Sequence, residues 1–300
     1  MSETEPVRSD PRNGFLFLWS IGIYAGDSPF TLQPVPHVQN PVLTYQDVTD
    51  LAAAFVADPF MVRTNDCWYM FFEVFDYETY RGEIGLATSK DGWVWEYQQI
   101  VLREPFHLSY PHVFAWQGEY YMVPETLELK AVQLYKAGPF PSRWSPVGRL
   151  VEGECADPSI FRFQDRWWMF ACSTPHEHDS LRLYLADELL GPWTEHPRSP
   201  IVAGDNRIAR PAGRVLVLDD KVVRHAQNCF PIYGAQVRAF EISELTPSTY
   251  HEKESDLSPI LGANGIGWNA IGMHHVDPHQ MSDGSWIACV DGLCRNELAQ

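Results

Sequence analysis

The chain has 300 residues, 45 % of them hydrophobic and 13 % aromatic, with a formal charge of −17 at pH 7. That much apolar material supports a real core and excludes global disorder. Its 22 Lys and Arg are scattered among 39 Asp and Glu, which excludes nucleic acid and anionic membrane as partners, because counterion release needs clustered basic residues.

Residues 1–14, MSETEPVRSDPRNG, lack the basic-then-apolar order of a signal peptide and read as a disordered tail. No apolar run reaches the roughly 18 residues that a membrane span needs. The expectation is a soluble, cytoplasmic protein without membrane insertion. FLFLWSIGIYAGDSPFTLQP (15–34) reads as an apolar strand followed by a Ser-Pro-Phe turn. LTYQDVTDLAAAF (43–55) is the one stretch that suits a short helical turn.

From residue 57 onward one pattern recurs five times: a short polar residue before Pro, an apolar strand, a turn, and a second, aromatic-rich strand. The strong copies are ADPFMVRTNDCWYMFFE (57–73), SYPHVFAWQGEYYMVPE (109–125) and ADPSIFRFQDRWWMFAC (156–172). ARPAGRVLVLDDKVVRH (209–225) and VDPHQMSDGSWIACVD (276–291) are weaker. Asp58, Tyr110, Asp157, Arg210 and Asp277 take the first position, at intervals of 52, 47, 53 and 67 residues, close to the length of a four-stranded propeller blade. Glu73, Glu125, Cys172 and His225 follow 15 residues after their first positions, and Asp291 follows after 14. The turns TND, WQGE, FQDR and SDGS carry hairpin chemistry.

A third strand follows in each unit, as in GEIGLATS (82–89), and then an outer one that places Trp93 or Trp95, Trp144 and Trp193 at comparable edges, where they read as inter-blade packing. The fifth unit runs out of chain soon after Asp291. The N-terminal strands are therefore expected to complete it, giving an all-β, five-bladed β-propeller over residues 15–295 with no exposed sheet edges. Cys67, Cys155, Cys172, Cys229, Cys289 and Cys294 form neither a CxxC pair nor a zinc spacing, and read as free thiols rather than a disulfide framework.

Innermost strands of a propeller line a central channel, so the five first positions should gather at one mouth. Several carboxylates in one concave, partly dry site split their pKa values, which lets one act as acid and another as base. The competing reading is that each Asp-Pro caps backbone amides at the start of its strand. His275, Asp277 and His279 share one face of a strand, a spacing that could ligate a metal, although hydrogen bonding to a sugar or to neighbours is the preferred role. HEHD (176–179) reads as a solvated loop. Arg210 either neutralises the acidic funnel or binds an anionic group of a ligand. Trp268, in the Gly-rich segment 262–272, is the best stacking candidate for a sugar ring.

VADPF and CADPS resemble the strand openings of the five-bladed glycosidases of glycoside hydrolase families 43, 32 and 68. WSIGIYAG (19–26), NPVL (40–43), FVADPFM (55–61), YPHVF (110–114), YYMVPET (120–126) and HHVDPHQ (274–280) are similar to the N-terminal domain of plant glucosamine inositolphosphorylceramide transferases and their bacterial stand-alone relatives. The resemblance implies a carbohydrate-active enzyme that hydrolyses or transfers a glycosyl group, inverting if it follows family 43, on a sugar or glycoconjugate. It makes Asp58 the base and Asp157 the orienting carboxylate. Arg210 stands where family 43 has its general-acid Glu, so the acid falls to Glu125, Glu73 or Glu154, with Glu125 preferred. Tyr110, His112, Arg210, His225, His275, Asp277, Glu73 and Trp268 are the substrate-binding candidates. No cofactor is required on this reading; a central divalent ion such as calcium is what the family 43 histidine would face. A non-catalytic glycan- or glycolipid-recognition propeller is the alternative.

Overall fold

The computed structural model describes residues 14–64, 67–218 and 220–297. The expected N-terminal tail lies outside the described residues apart from Gly14. Five antiparallel sheets follow one another in chain order and form a β-propeller. The first blade uses Ala53–Thr64, Cys67–Asp76, Arg81–Ser89 and Glu96–Leu102. The second uses Ser109–Trp116, Glu119–Glu125, Ala131–Ala137 and Trp144–Glu152. Ala156–Phe163, Arg166–Cys172 and Ser180–Ala186 lead the third, and Leu216–Leu218, Lys221–Asn228, Gln236–Leu245 and Tyr250–Glu254 the fourth.

The fifth blade closes the ring as expected. Its inner strands are Val276–Gln280 and Trp286–Arg295, and the N-terminal strand Phe17–Gly26 pairs antiparallel with the latter from Phe17–Arg295 to Gly26–Trp286. Gln33–Pro34 supplies the outer edge.

Period-two alternation gives every blade two buried faces, and the core is accordingly split into layers between neighbours. Phe60, Phe71 and Ile84 of the first blade pack on Val113, Met122 and Tyr135 of the second. Val123, Val132 and Leu134 meet Ile160, Trp167 and Met169; Phe161, Trp168 and Leu183 meet Val222 and Ile242. Val223 and Val237 meet Val276 and Val290, and Ile21, Ile23 and Ile287 meet Val56, Met70 and Phe72, which completes the circle. The outer tryptophans belong to these layers: Trp95 and Trp144 are buried in them and Trp193 packs against one. Each indole donates to a carbonyl three or four residues back, Gly92, Pro141 and Leu189 respectively.

The segment 43–55 holds less helix than expected. One 3-10 turn, Tyr45–Asp47, forms under a capping box from Thr44, and the chain is extended from Val48. Ala53 already begins the inner strand of the first blade. All six cysteines are free thiols.

Candidate functional site

The innermost strands of the first three blades share a register break. Ala57 pairs with Glu73 and then Phe60 with Phe71; Ser109 pairs with Glu125 and then His112 with Val123; Ala156 pairs with Cys172 and then Ser159 with Phe170. The residue in each bulge adopts a left-handed backbone, with φ of 53° at Asp58, 48° at Tyr110 and 51° at Asp157. Such a conformation is uncommon for a residue with a side chain, and a bulge of this kind re-aims that side chain. A neighbouring blade holds the bulge in place. Asp58 donates its N–H to Asp291 Oδ2, and Asp157 donates its own to Glu125 Oε2, both at 3.1 Å. Capping by carboxylates is thus real, but Asp291 and Glu125 do it, which leaves the side chains of Asp58 and Asp157 for other work.

Asp157 is fixed on both oxygens. Arg210 Nε donates to Oδ2 at 2.7 Å, Arg210 Nη2 to Oδ1 at 3.3 Å, and Gln227 Nε2 to Oδ2 at 2.7 Å. Arg210 also reaches Glu125 Oε2 at 3.3 Å and the Pro175 carbonyl at 3.0 Å, and its guanidinium lies 5.3 Å from the centre of the Tyr233 ring. It is the neutralising partner of the carboxylates. Asp58 is held less firmly: its Oδ1 lies 3.6 Å from His274 Nε2 and 3.7 Å from His275 Nδ1. His274 is itself oriented by Asp291 Oδ1, 2.8 Å from its Nδ1, and stacks on Trp19 with ring centres 3.9 Å apart.

Asp58, Glu73 and Glu125 are each 6 % exposed and Asp157 2 %, and desolvation dominates the titration of Asp58, Glu73 and Asp157. Burial raises Asp58 to about 7, against the pull of His274 and with a push from Asp157 and Asp291. Burial likewise raises Asp157 to about 7, with Arg210 pulling it down and Glu125 pushing it up. Glu73 is held well above the carboxylate range by burial first, and then by Asp58, Glu125, Asp157 and Asp291. For His274, burial is outweighed by Asp291 and Asp58, and its pKa rises.

Asp277 does not join this group. Its oxygens take Arg214 Nε at 2.5 Å, His279 Nε2 at 2.9 Å and the Met61 N–H at 2.6 Å. Burial alone would raise it, but Arg214 and then His279 hold it well below the usual range. The reason lies in the register: Val276 pairs with Val290 and Asp277 with Cys289 without a break. The fifth blade lacks the bulge residue, so Asp277 falls one step further along the channel, level with Phe60 and His112. Asp277 accordingly stands 14 residues before Asp291, where Asp58 stands 15 before Glu73.

The candidate residues therefore divide. Asp58, Glu73, Glu125, Asp157 and Arg210 form one buried cluster. His112 and His225 belong with Arg214 and Asp277, His112 Nε2 lying 3.4 Å from Arg214 Nη1 and His225 Nδ1 2.9 Å from the Arg214 carbonyl. Between the two networks Phe60, Tyr110, His112 and His275 make mutual ring contacts of 4.6–5.3 Å. Tyr110 turns inward there, its hydroxyl 2.7 Å from Ser159 Oγ and accepting the Gly213 N–H at 2.6 Å. Trp268 packs over Gly22 and Gly292, where a Cβ would meet its ring at 2.5 Å.

His275, Asp277 and His279 do not converge on one point. At about 3.3 Å per residue the two histidines stand about 13 Å apart along the strand, and His275 faces Asp58 while His279 faces Asp277. Among the described residues, Asp58, His274 and Asp291 bring ligand atoms within 4.8 Å of one another. Asp291 is already committed there: it accepts the backbone N–H groups of Asp58, His274 and His275 and the His274 ring.

Several pocket residues carry no sequence signal of their own. Gln227, Tyr233 and His178 arrive from loops and strand ends, and His178, in the segment expected to be solvated, lies 3.1 Å from Arg210 Nη1. Trp19 was visible only as part of WSIGIYAG.

Residues 16–293 match the family described as glucosamine inositolphosphorylceramide transferase 1, N-terminal. The chain belongs to this family. Over 91 % of its length it is 36 % identical to glucosamine inositolphosphorylceramide transferase 1 of Oryza sativa subsp. japonica, and 35 % identical to that of Arabidopsis thaliana. It spans only 40 % and 39 % of those relatives, respectively. Among solved structures, a putative glycoside hydrolase of Bacteroides ovatus superposes with a TM-score of 0.64 at 12 % identity, covering 88 % of this chain and 98 % of that one. The catalytic domain of the GH62 α-L-arabinofuranosidase of Coprinopsis cinerea gives 0.59 at 12 % identity, over 88 % of this chain and 84 % of that one. These two likenesses, at 12 % identity, bear on the fold of this chain alone. No helix among the described residues is long and apolar enough to cross a membrane.

Proposed function

We propose that this propeller acts on a glycoside or glycoconjugate, cleaving or transferring a glycosyl group at the pocket of Asp58, Glu73, Glu125 and Asp157. One observation carries the reading: buried carboxyl groups sit side by side in unlike surroundings. Burial raises Asp58 to about 7 and holds Glu73 well above the carboxylate range, while Asp157 is clamped by Arg210 and Gln227.

Glycosyl transfer needs one group to protonate the departing oxygen and another to take a proton from the incoming water or hydroxyl. Asp58, with its pKa near working pH, suits the base. Glu73 suits the proton donor better than Glu125, whose Oε2 already serves the Asp157 N–H and Arg210. As the C–O bond breaks, its electron pair leaves on the departing oxygen, which takes the Glu73 proton; the nucleophile gives its own proton to Asp58. His274, stacked on Trp19 and raised in pKa by Asp291 and Asp58, stands beside Asp58. The names of the relatives and of the structural neighbours, transferase and glycoside hydrolase, support a glycosyl substrate.

Recognition without turnover is the second reading. It is favoured by Arg210 standing where an acid would be expected and by the low exposure of the carboxylates. A panel of aryl glycosides and a glycan array, each run with wild type and Asp58→Asn, separates the two. Turnover by wild type that Asp58→Asn loses supports the enzyme. Binding on the array with no turnover on any glycoside supports recognition, and neither binding nor turnover would contradict a sugar-directed site.

A further inference from the structure

We infer that His107 is the positioning residue of the proton donor: its imidazole Nε2–H holds Glu73 and binds the carboxylate that remains once the proton has left. The inference rests on Glu73 acting as the acid of the proposed reaction. His107 lies in the loop between Glu96–Leu102 of the first blade and Ser109–Trp116 of the second, outside the repeating pattern.

Backbone and ring are both pinned. The His107 N–H donates to Glu128 Oε1 at 3.0 Å, and Leu108 donates its N–H to the Gly82 carbonyl at 3.0 Å. Gly82 in turn donates its own N–H to His107 Nδ1 at 2.8 Å. A ring nitrogen that accepts carries no proton, so the neutral imidazole bears its hydrogen on Nε2. That nitrogen faces Glu73 Oε1 at 3.5 Å. The approach requires glycine at 82: a Cβ there would lie 2.2 Å from the Leu108 carbonyl oxygen, 2.7 Å from Glu73 Oε1 and 2.9 Å from His107 Cε1. The titratable and charged groups around the ring are Glu73 from the first blade, Glu128 from the turn Leu127–Leu129 of the second, and Arg210. Burial lowers the His107 pKa, against Glu128 and with Arg210, so the ring is neutral at pH 7. A donor at 3.5 Å is loose for a protonated carboxyl. A carboxylate draws the same donor in, because hydrogen bonds to charged acceptors are shorter and about twice as strong. His107 therefore stabilises Glu73 more after proton donation than before, and an interaction that strengthens along the step accelerates it. With Oε1 facing a donor, Oε2 is the oxygen that carries the acidic hydrogen. The imidazole itself neither gains nor loses a proton.

The test follows the Glu73 carboxyl and the His107 ring nitrogens by NMR across pH in the intact protein, with Glu73→Gln assigning the carboxyl signal. In wild type, His107 should show the Nε2–H form and shift as Glu73 ionises, with the same midpoint, and Glu73→Gln should abolish that shift. His107→Leu removes the donor and should raise the Glu73 midpoint by about one pH unit. His107→Gln, whose amide N–H takes the place of Nε2–H, should stay near wild type. On an aryl glycoside with a poor leaving group, the alkaline limb of kcat/KM should move up with that midpoint in His107→Leu, and the rate below the limb should fall by about tenfold. A packing role would lower the melting temperature and move neither midpoint. A His107 ring that ignores the ionisation of Glu73 overturns the proposal, as does a Glu73 midpoint equal in wild type and His107→Leu. Absence of turnover on every glycoside counts against the glycosyl reading instead, since the NMR arms decide the coupling of His107 to Glu73 by themselves.

Discussion

A protein that starts at residue 36 should fail to fold. It lacks the strand Phe17–Gly26, which carries every outer-side pairing of Trp286–Arg295, and the edge strand Gln33–Pro34. Ile21 and Ile23, both fully buried between the fifth and first blades, leave with it, together with Trp19, Tyr24 and Leu32. Burial of one such aliphatic side chain is worth about 1.5–3 kcal/mol, and the whole stability of a domain is only about 5–15 kcal/mol. Losing three of them and two large aromatics also exposes the sheet edge that closure had covered. Circular dichroism melting of the truncated chain should show no cooperative transition near that of the full chain; a transition at the same temperature would contradict the closure.

Replacing the two candidate acids should give different signatures. Glu73→Gln removes the carboxyl whose pKa burial and its acidic neighbours raise. A positioned acid contributes roughly 10²–10⁴ in rate, so turnover of a glycoside with a poor leaving group should fall by about that factor. A dinitrophenyl glycoside needs little protonation and should keep most of its rate. Glu125→Gln weakens the cap on the Asp157 N–H and the contact with Arg210. Its losses should be similar on both substrates and accompanied by a stability cost of about 1–3 kcal/mol. Kinetics on the two substrate types decide it: equal losses in Glu73→Gln would make Glu73 a structural residue, and a selective loss in Glu125→Gln would return the acid role to Glu125.

The ring is legible in the sequence because each blade repeats the same alternation and the same hairpin chemistry. The incomplete fifth copy likewise points to the N-terminal strand as its missing partner. The bulges are half legible. Asp-Pro and Tyr-Pro mark the three positions, but the left-handed backbone and the carboxylate cap from the next blade are tertiary facts. Asp277 shows the limit. Its Asp-Pro looks like the others, and only the shortened spacing to Asp291 betrays that it sits a step deeper, with Arg214. Arg214 itself, four residues beyond Arg210, carries no pattern; its role comes from carbonyls of two other blades. Trp19 and Tyr233 flank His274 from different parts of the chain, a meeting that local sequence cannot encode. Trp268 misleads because an aromatic in a Gly-rich segment suits a ligand platform and a packing plug equally. The glycines at 22 and 292 make room for its ring.

The pocket's chemistry rests on Asp58 changing protonation near neutrality, and a carboxyl-carbon NMR titration of the folded protein measures that directly, with Asp58→Asn assigning the signal. A carboxyl raised in the fold stabilises it when protonated, fully so below about 4, the range of an ordinary Asp. That contribution is lost as pH rises through the folded value. The expected midpoint for Asp58 is about 7, with that of Glu73 also well above the ordinary carboxylate range. A midpoint near 4 for Asp58 in the folded protein would contradict the proton-sharing pocket and the glycosyl chemistry built on it.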